Sequence, residues 1–332
     1  MIYISGFILC AGIIFWAGKK LAYYGEVIAE ITGMGKSWTG LVLMATITSL
    51  PELMSGISSS AIVESADLAA GDILGSCAFN LFILAILDAF TPKNNPLFTA
   101  STMSNVLAAA LGLILVSLAG LAIYLPDEIV LLPSIGITSL SFLIIYLFSL
   151  RIMYQHNRRH AIVLENAGRR SESQSLTLNI AVRRYIVYAI FIVSSALSLP
   201  WLAGHISAIS GLNESFVGTL FLAISTSLPE ISVSVAAVRS GAIDMAVGNL
   251  FGSNIFNILI LFIDDLFYTK GHLLKDASDI NLVSVFSVIL MSSIAIIGLT
   301  LKIPGKRFTL AYDALLILFV YIMNIIMLLN LT

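Results

Sequence analysis

Charged side chains are scarce in this chain. Asp, Glu, Lys and Arg make up 11% of its 332 residues, where soluble domains carry about 25%. So few charges cannot coat a water-soluble body of this size. Hydrophobic residues reach 58% and the mean hydropathy is +0.99, the composition of a polytopic membrane protein. A net charge of −2 and the lack of a basic soluble domain exclude nucleic-acid binding as a main role. Cysteine is equally rare: Cys10 and Cys77 both lie in apolar stretches, which excludes a disulfide framework. His156 and His160 fall in a basic segment and His205 and His272 near span ends, so no transition-metal cluster is visible. No histidine shares the predicted depth of Cys77, so a nucleophile–base pair is missing and an enzyme is not expected.

Long apolar runs are what the sequence has instead. A helix needs about 20 mostly apolar residues to cross a bilayer. Ten such runs stand between polar breaks, near 2–22, 38–62, 67–90, 100–123, 129–153, 184–206, 213–238, 242–264, 280–301 and 308–331. The first ends in Lys19 and Lys20 rather than in a cleavage site, so it is expected to be a retained span. If Met1 faces outward and the runs alternate, fifteen of the seventeen basic residues fall on the inner side and only Lys270 and Lys275 outside. That asymmetry predicts cell-membrane residence with both termini extracytoplasmic. A polar segment over 154–183, carrying Arg158, Arg159, Arg169 and Arg170, then divides the chain into five spans at 1–153 and five at 184–332. It is expected to be a cytoplasmic linker and topology anchor.

Self-comparison adds a duplication. Residues 37–52 read SWTGLVLMATITSLPE and 215–230 read SFVGTLFLAISTSLPE, with Thr48-Ser49-Leu50-Pro51-Glu52 repeated unchanged as Thr226-Ser227-Leu228-Pro229-Glu230. A second block, DLAAGDILGSCAFN at 67–80, returns as DMAVGNLFGSNIFN at 244–257. The offset is 178 residues in the first block and 177 in the second. An odd number of spans per half turns the second copy upside down. The expected fold is therefore all-α and integral to the membrane, ten transmembrane helices in two inverted-topology five-helix repeats, with substrate sites near the midplane.

The repeated residues are polar ones at membrane depth. A carboxylate near the bilayer centre costs at least about 2.5–3.5 kcal/mol. Glu52 and Glu230, brought together by a pseudo-twofold axis, would repel unless a cation or protons intervene. Pro51 and Pro229 each remove an amide N–H, expected to free carbonyls around Ala45 to Ile47 and Ala223 to Ser225. Carbonyls, the Thr48 and Thr226 hydroxyls and two carboxylates make an all-oxygen set suited to a hard cation such as Ca²⁺. Asp72, Ser76 and Asn80, like Asn249, Ser253 and Asn257, are spaced to share one helix face. Gly71 with Gly75, and Gly248 with Gly252, have the spacing of close helix packing. Asp313 is expected to pair with Lys306 or Arg307, and Asp264, Asp265, Asp276 and Asp279 to be solvated acids flanking an outer loop.

At these blocks the chain resembles the sodium/calcium exchanger family of cation/calcium antiporters, in its prokaryotic form, over essentially its whole length. The family's G-T-S-L-P-E and G-S-x-x-x-[ND] motifs occur in both halves, with Ile47 and Ser225 in place of the leading glycines. The resemblance implies a calcium site of Glu52, Glu230, Thr48 and Thr226 with the carbonyls of Ala45 and Ala223. It implies sodium sites drawing on Ser49, Ser76, Ser227 and Ser253, with Asn80 and Asn257 at the centre. Asn257 stands where some microbial members carry Asp, which bears on the coupling ion. Spans 1 and 6 are expected to slide past the rest. The implied activity is Ca²⁺/Na⁺ antiport, with H⁺/Ca²⁺ exchange through the same glutamates as the alternative. Ca²⁺ and Na⁺ are then transported substrates, and neither a cofactor nor an obligatory protein partner is expected.

Overall fold

A computed structural model describes residues 2–32, 45–125, 130–132, 135–164, 177–303 and 305–331. Residues 38–44 of the expected second span and 165–176 of the expected linker lie outside the described residues. The helices are α1 (Ile2–Ile31), α2 (Leu50–Ser58, prolonged by a π turn over Ser59–Val63), α3 (Ala66–Asp88), α4 (Ser104–Tyr124), α5 (Ile137–Leu164) and α6 (Leu178–Ser210). They continue with α7 (Glu214–Thr226), α8 (Leu228–Arg239), α9 (Ile243–Phe267), α10 (Asn281–Leu301) and α11 (Tyr312–Asn330). In lipid each segment must satisfy its own backbone, and runs of this length do so as helices.

Eight of these helices are long and apolar enough to cross a membrane, and α7 with α8 forms one further span bent by 48°. The remaining expected span, 38–62, is described only from Ala45 onward, where a helical turn precedes α2. Two boundaries move: α5 runs to Leu164 and α6 begins at Leu178, so helix invades both ends of the expected 154–183 linker. Val130–Leu132 and Ile135–Gly136 pair antiparallel, a small β element that the all-helical expectation did not contain.

Burial sorts the helices. The apolar windows of α3 and α9 are 89% and 78% buried, against 22% for α1, which makes α3 and α9 the hub. Around them a main core joins Leu74, Leu81, Leu115, Leu250, Ile258 and Met291 from α3, α4, α9 and α10. A second cluster, including Ile14, Leu199 and Val217, joins α1, α6 and α7. Large apolar side chains such as Ile8, Trp16, Ile190, Phe286 and Phe319 face outward, as lipid-facing surfaces require.

Glycine decides how close the hub comes to α7. A Cβ on Gly75 would lie 2.5 Å from the Thr219 Cα and carbonyl oxygen, and one on Gly71 would lie 2.8 Å from the Ser215 oxygen. Backbone therefore meets backbone, as the glycine spacing anticipates. Gly252 is looser, its nearest neighbour being the Ala45 Cβ at 3.3 Å.

Two acidic expectations are overturned and a third is narrowed. Asp264 and Asp265 are buried, at 0% and 2% exposure, rather than solvated. Asp265 accepts from the Leu273 N–H at 2.7 Å and from Ser139, capping the turn after α9. Lys306, one of the two cations expected to pair with Asp313, instead forms a buried ion pair with Asp88 at 3.1 Å. Asp88 also accepts from the Leu97 and Ala311 N–H groups, so it offers the ammonium a preorganised anion.

Candidate ion-binding site

The repeated motif breaks the chain at the same residue in both halves. Ser49 (φ −86°, ψ 14°) and Ser227 (φ −84°, ψ 11°) share one non-helical conformation, and a helix restarts directly after each with proline in its first turn. Proline suits that place because its missing N–H would be an orphan there anyway. The break forms at both sites although Ile47 and Ser225 replace glycine.

Each break turns a serine toward the acid of the other copy. Ser49 Oγ donates to Glu230 Oε1 at 3.1 Å, and Ser227 Oγ donates to Glu52 Oε1 at 2.8 Å. Both glutamates are fully buried and each lies in the other's electrostatic field. Thr48 and Ser253 also approach Glu230. Oε2 of both glutamates, Ser253 Oγ, Asn80 Oδ1 and Asn257 Oδ1 are buried oxygens without a hydrogen-bond partner. In hydrocarbon surroundings such groups are costly unless a cation or proton satisfies them.

The threonines and alanines differ in detail from expectation. Ala45 and Ala223 carbonyls are not freed: they accept from Ser49 and Ser227 N–H at 3.0 and 3.1 Å. The Thr48 hydroxyl donates back to Ala45 at 3.1 Å, and Thr226 Oγ1 lies 3.3 Å from the Ala223 oxygen and 3.0 Å from that of Leu222. Each oxygen still has lone-pair capacity for an ion. The carbonyls that proline itself leaves without an i+4 donor are those of Ile47 and Ser225, four residues before Pro51 and Pro229. Thr226 Oγ1 also lies 3.5 Å from Ser76 Oγ and donates to Asp72 Oδ1 at 3.2 Å. Of the residues singled out in the sequence, Ser49, Glu52, Ser227 and Glu230 are joined across the breaks, Ser76 meets Thr226 and Thr48 and Ser253 approach Glu230, while Asn80 and Asn257 lie on α3 and α9.

One participant was missed. Asn254, at the repeat position of Cys77, accepts from Asn80 Nδ2 at 2.9 Å and donates to the Cys77 carbonyl at 3.2 Å. It cross-links α3 to α9 where they pass and fixes which way Asn80 Oδ1 points. The signal was present in the repeat, as a Cys-to-Asn change directly after the shared serine. Among the described residues no group of three or more His, Cys, Asp or Glu side chains could hold a metal. The donor set is one of paired carboxylates supplemented by hydroxyl, amide and carbonyl oxygens, which suits hard cations.

A cavity of about 770 Å³ opens between α1 and α8, with Lys19, Tyr23, Glu26 and Arg239 at its walls, and it reaches Ile231 beside Glu230. α1 and α6 pack against each other along their length. Tyr24 stacks on Tyr188 at 5.8 Å and accepts from Arg184 at 2.8 Å.

Comparison with known proteins bears on this arrangement. The profile of the family described as sodium/calcium exchanger protein matches residues 2–155 and 183–330. The chain is 27% identical over 289 residues to the inner membrane protein YrbG of Escherichia coli strain K12, covering 84% of this chain and 85% of that one. A shorter stretch of 59 residues, 18% of this chain and 17% of the other, is 49% identical to the sodium/calcium exchanger MaX1 of Methanosarcina acetivorans. The solved structure of the sodium-calcium exchanger NCX_Mj, soaked with 2.5 mM Na⁺ and 10 mM Sr²⁺, shares the fold: TM-score 0.63 at 20% identity, over 98% of both chains.

Proposed function

Because the chain belongs to the sodium/calcium exchanger family, we propose that it is a secondary antiporter exchanging Ca²⁺ for Na⁺ by alternating access. It is a multi-pass membrane protein with the fold of that family. On this reading ten spans form two inverted repeats, 1–153 and 184–332, joined by a cytoplasmic linker at 154–183, with both termini outside. The observation that carries the reading is the reciprocal pair of bonds from Ser49 to Glu230 and from Ser227 to Glu52. It orients two buried carboxylates and leaves one oxygen of each uncommitted.

The proposed ion path follows from charge. Ca²⁺ binds between Glu52 and Glu230, with Thr48, Thr226 and the Ala45 and Ala223 carbonyls completing an oxygen shell. Na⁺ occupies flanking positions built from Ser49, Ser76, Ser227 and Ser253, with Asn80 and Asn257 between them. The cavity between α1 and α8 serves as the inner approach, since it lies at the end carrying Lys19, Lys20 and Arg239. α1 and α6, paired through Tyr24, Arg184 and Tyr188, move as one unit over the hub. A loaded site is near neutral and crosses the occluded barrier; an empty one, with two bare carboxylates, does not. Exchange is obligatory for that reason.

Radiolabelled calcium uptake into proteoliposomes tests this. An outward Na⁺ gradient should drive uptake in the wild type, and Glu52→Gln or Glu230→Gln should each abolish it. Sodium-driven uptake persisting in either variant contradicts the assignment. Uptake driven by a pH gradient in sodium-free buffer would transfer the coupling role to protons at the same glutamates.

A further inference from the structure

Two buried acids that the transport site does not use, Asp72 and Asp264, lie at one end of it. From Glu52 toward the end of α2, Ser55, Gly56, Ser59 and Ser60 continue one helix stripe, at spacings that keep them on one face. The three serines are fully buried, and none of their hydroxyls makes a normal hydrogen bond, Ser55 leaning toward Asp72 without completing one. Asp264 comes in from α9, its carboxylate pressed on Gly56 so closely that a Cβ there would collide with both oxygens. It has 0% exposure and neither oxygen has a partner, while Asp72 keeps one oxygen unpartnered. Asp264 and Asp72 lie in each other's electrostatic field. Six buried oxygens therefore lack partners within the protein.

The duplication supplies an internal control. Applying the offsets of 178 and 177, the counterparts of Ser55, Ser59, Ser60, Asp72 and Asp264 are Val233, Ala237, Val238, Asn249 and Leu87. The same scaffold thus folds with apolar residues at four of the five positions. The repeat alignment still holds at that depth, because Asp88 and Asp265, also 177 apart, both cap the turns that follow their helices. Packing does not require polarity here, and burying two carboxylates without a counter-charge is costly. One copy of the repeat has acquired an acid-and-hydroxyl set that its twin lacks.

We propose that Asp264, Asp72 and the hydroxyls of Ser55, Ser59 and Ser60 form a second cation station, selective for Ca²⁺, between the paired glutamates and the membrane face where α2 ends and α9 terminates. Two carboxylates match a divalent charge, and up to six oxygens match the lower limit of calcium coordination. By the basic-residue asymmetry this face is extracytoplasmic. The station holds an ion before it enters, or after it leaves, the central site, and Thr226, bonded to Asp72, links the two. Among the described residues the repeat-related positions on the other side carry Asn249 and Ser234 but no carboxylate, so the two directions of transport meet different approaches. The assignment does not rest on the glutamate pair.

Equilibrium dialysis of ⁴⁵Ca²⁺ against the full-length purified protein in sodium-free buffer tests it. The wild type should bind two Ca²⁺ per chain. Glu52→Gln/Glu230→Gln should keep one, and adding Asp264→Asn should remove it or weaken it at least about tenfold. Asp264→Asn alone should retain one Ca²⁺ at the glutamates, which also reports that the variant is folded. In wild-type crystals soaked in Sr²⁺, anomalous density should appear between Asp264 and Asp72, a readout that needs no variant. Calcium binding in the glutamate double variant that is indifferent to Asp264→Asn, or absent altogether, overturns the station, as does soaked density confined to the glutamates. A wild-type stoichiometry unchanged by the glutamate substitutions would count against the central site instead, and the Asp264 comparison would still decide this one.

Discussion

Neutralising both central carboxylates should let the ion-free protein cross its barrier. Glu52 and Glu230 are each 0% exposed, and occlusion strips from both whatever water reaches them in an open state. At about 2.5–3.5 kcal/mol per charge, the pair costs at least about 5–7 kcal/mol. At 1.36 kcal/mol per factor of ten, ion-free interconversion is slowed about four to five powers of ten. The serine bonds to Oε1 are internal to the site and accompany it through occlusion, so they cancel in this comparison. Single-molecule fluorescence transfer between dyes on α1 and α10 reads the transition, after Cys10 and Cys77 are replaced by Ala. At alkaline pH without Na⁺ or Ca²⁺, wild-type dwell times should exceed those in saturating Ca²⁺ by at least about a thousandfold. In Glu52→Gln/Glu230→Gln the ion-free dwell should fall to within about tenfold of the loaded wild type. Ion-free wild-type protein crossing as fast as the loaded form would refute the charge argument, whatever the flux measurements give.

Ser49→Ala and Ser227→Ala each delete a hydrogen bond to a charged group, worth about 1.5–3 kcal/mol. Both should raise the calcium concentration for half-maximal flux about tenfold or more, by similar factors because the two bonds are equivalent. Gly75→Ala forces a methyl to 2.5 Å from Thr219 backbone and should destabilise by about 1–3 kcal/mol. Gly12→Ala, with nothing within 4 Å, should be neutral, and detergent thermal unfolding compares the two. Asp88→Asn strands Lys306 in a buried site and should cost about 3–5 kcal/mol, seen as a lowered unfolding temperature with unchanged ion preference in the protein that remains folded.

The outline of this site was legible because duplication preserved it. Two copies of T-S-L-P-E and of the G-S-x-x-x-N block mark positions where polarity is kept against the cost of lipid burial, and the structure brings their side chains together. Illegible features were of two kinds. Asp264 and Asp265 sit at a span end, where hydropathy cannot separate a solvated acid from one folded under a loop. Asp265 had a clue, since Asp88 stands 177 residues earlier; Asp264 had none, its counterpart being Leu87. The second kind is local. The π turns at Ser59–Val63 and Gly218–Leu222 are announced by no residue type. Likewise Lys306 chose Asp88 over Asp313 because backbone donors had already fixed Asp88, a fact available only in three dimensions.

Main chain touching main chain at Gly71, Gly75 and Gly218 has a mechanical consequence. A seam with no layer of side chains between its walls has no rotamers to rearrange, so α3 and α7 are welded and cannot part to admit an ion. In the proposed cycle the surface that slides is aliphatic, where Ile14 of α1 and Leu199 of α6 join Val217 and Leu222 of α7 in one cluster. In the proposed cycle this seam belongs to the stationary part, and α1 with α6 to the moving one.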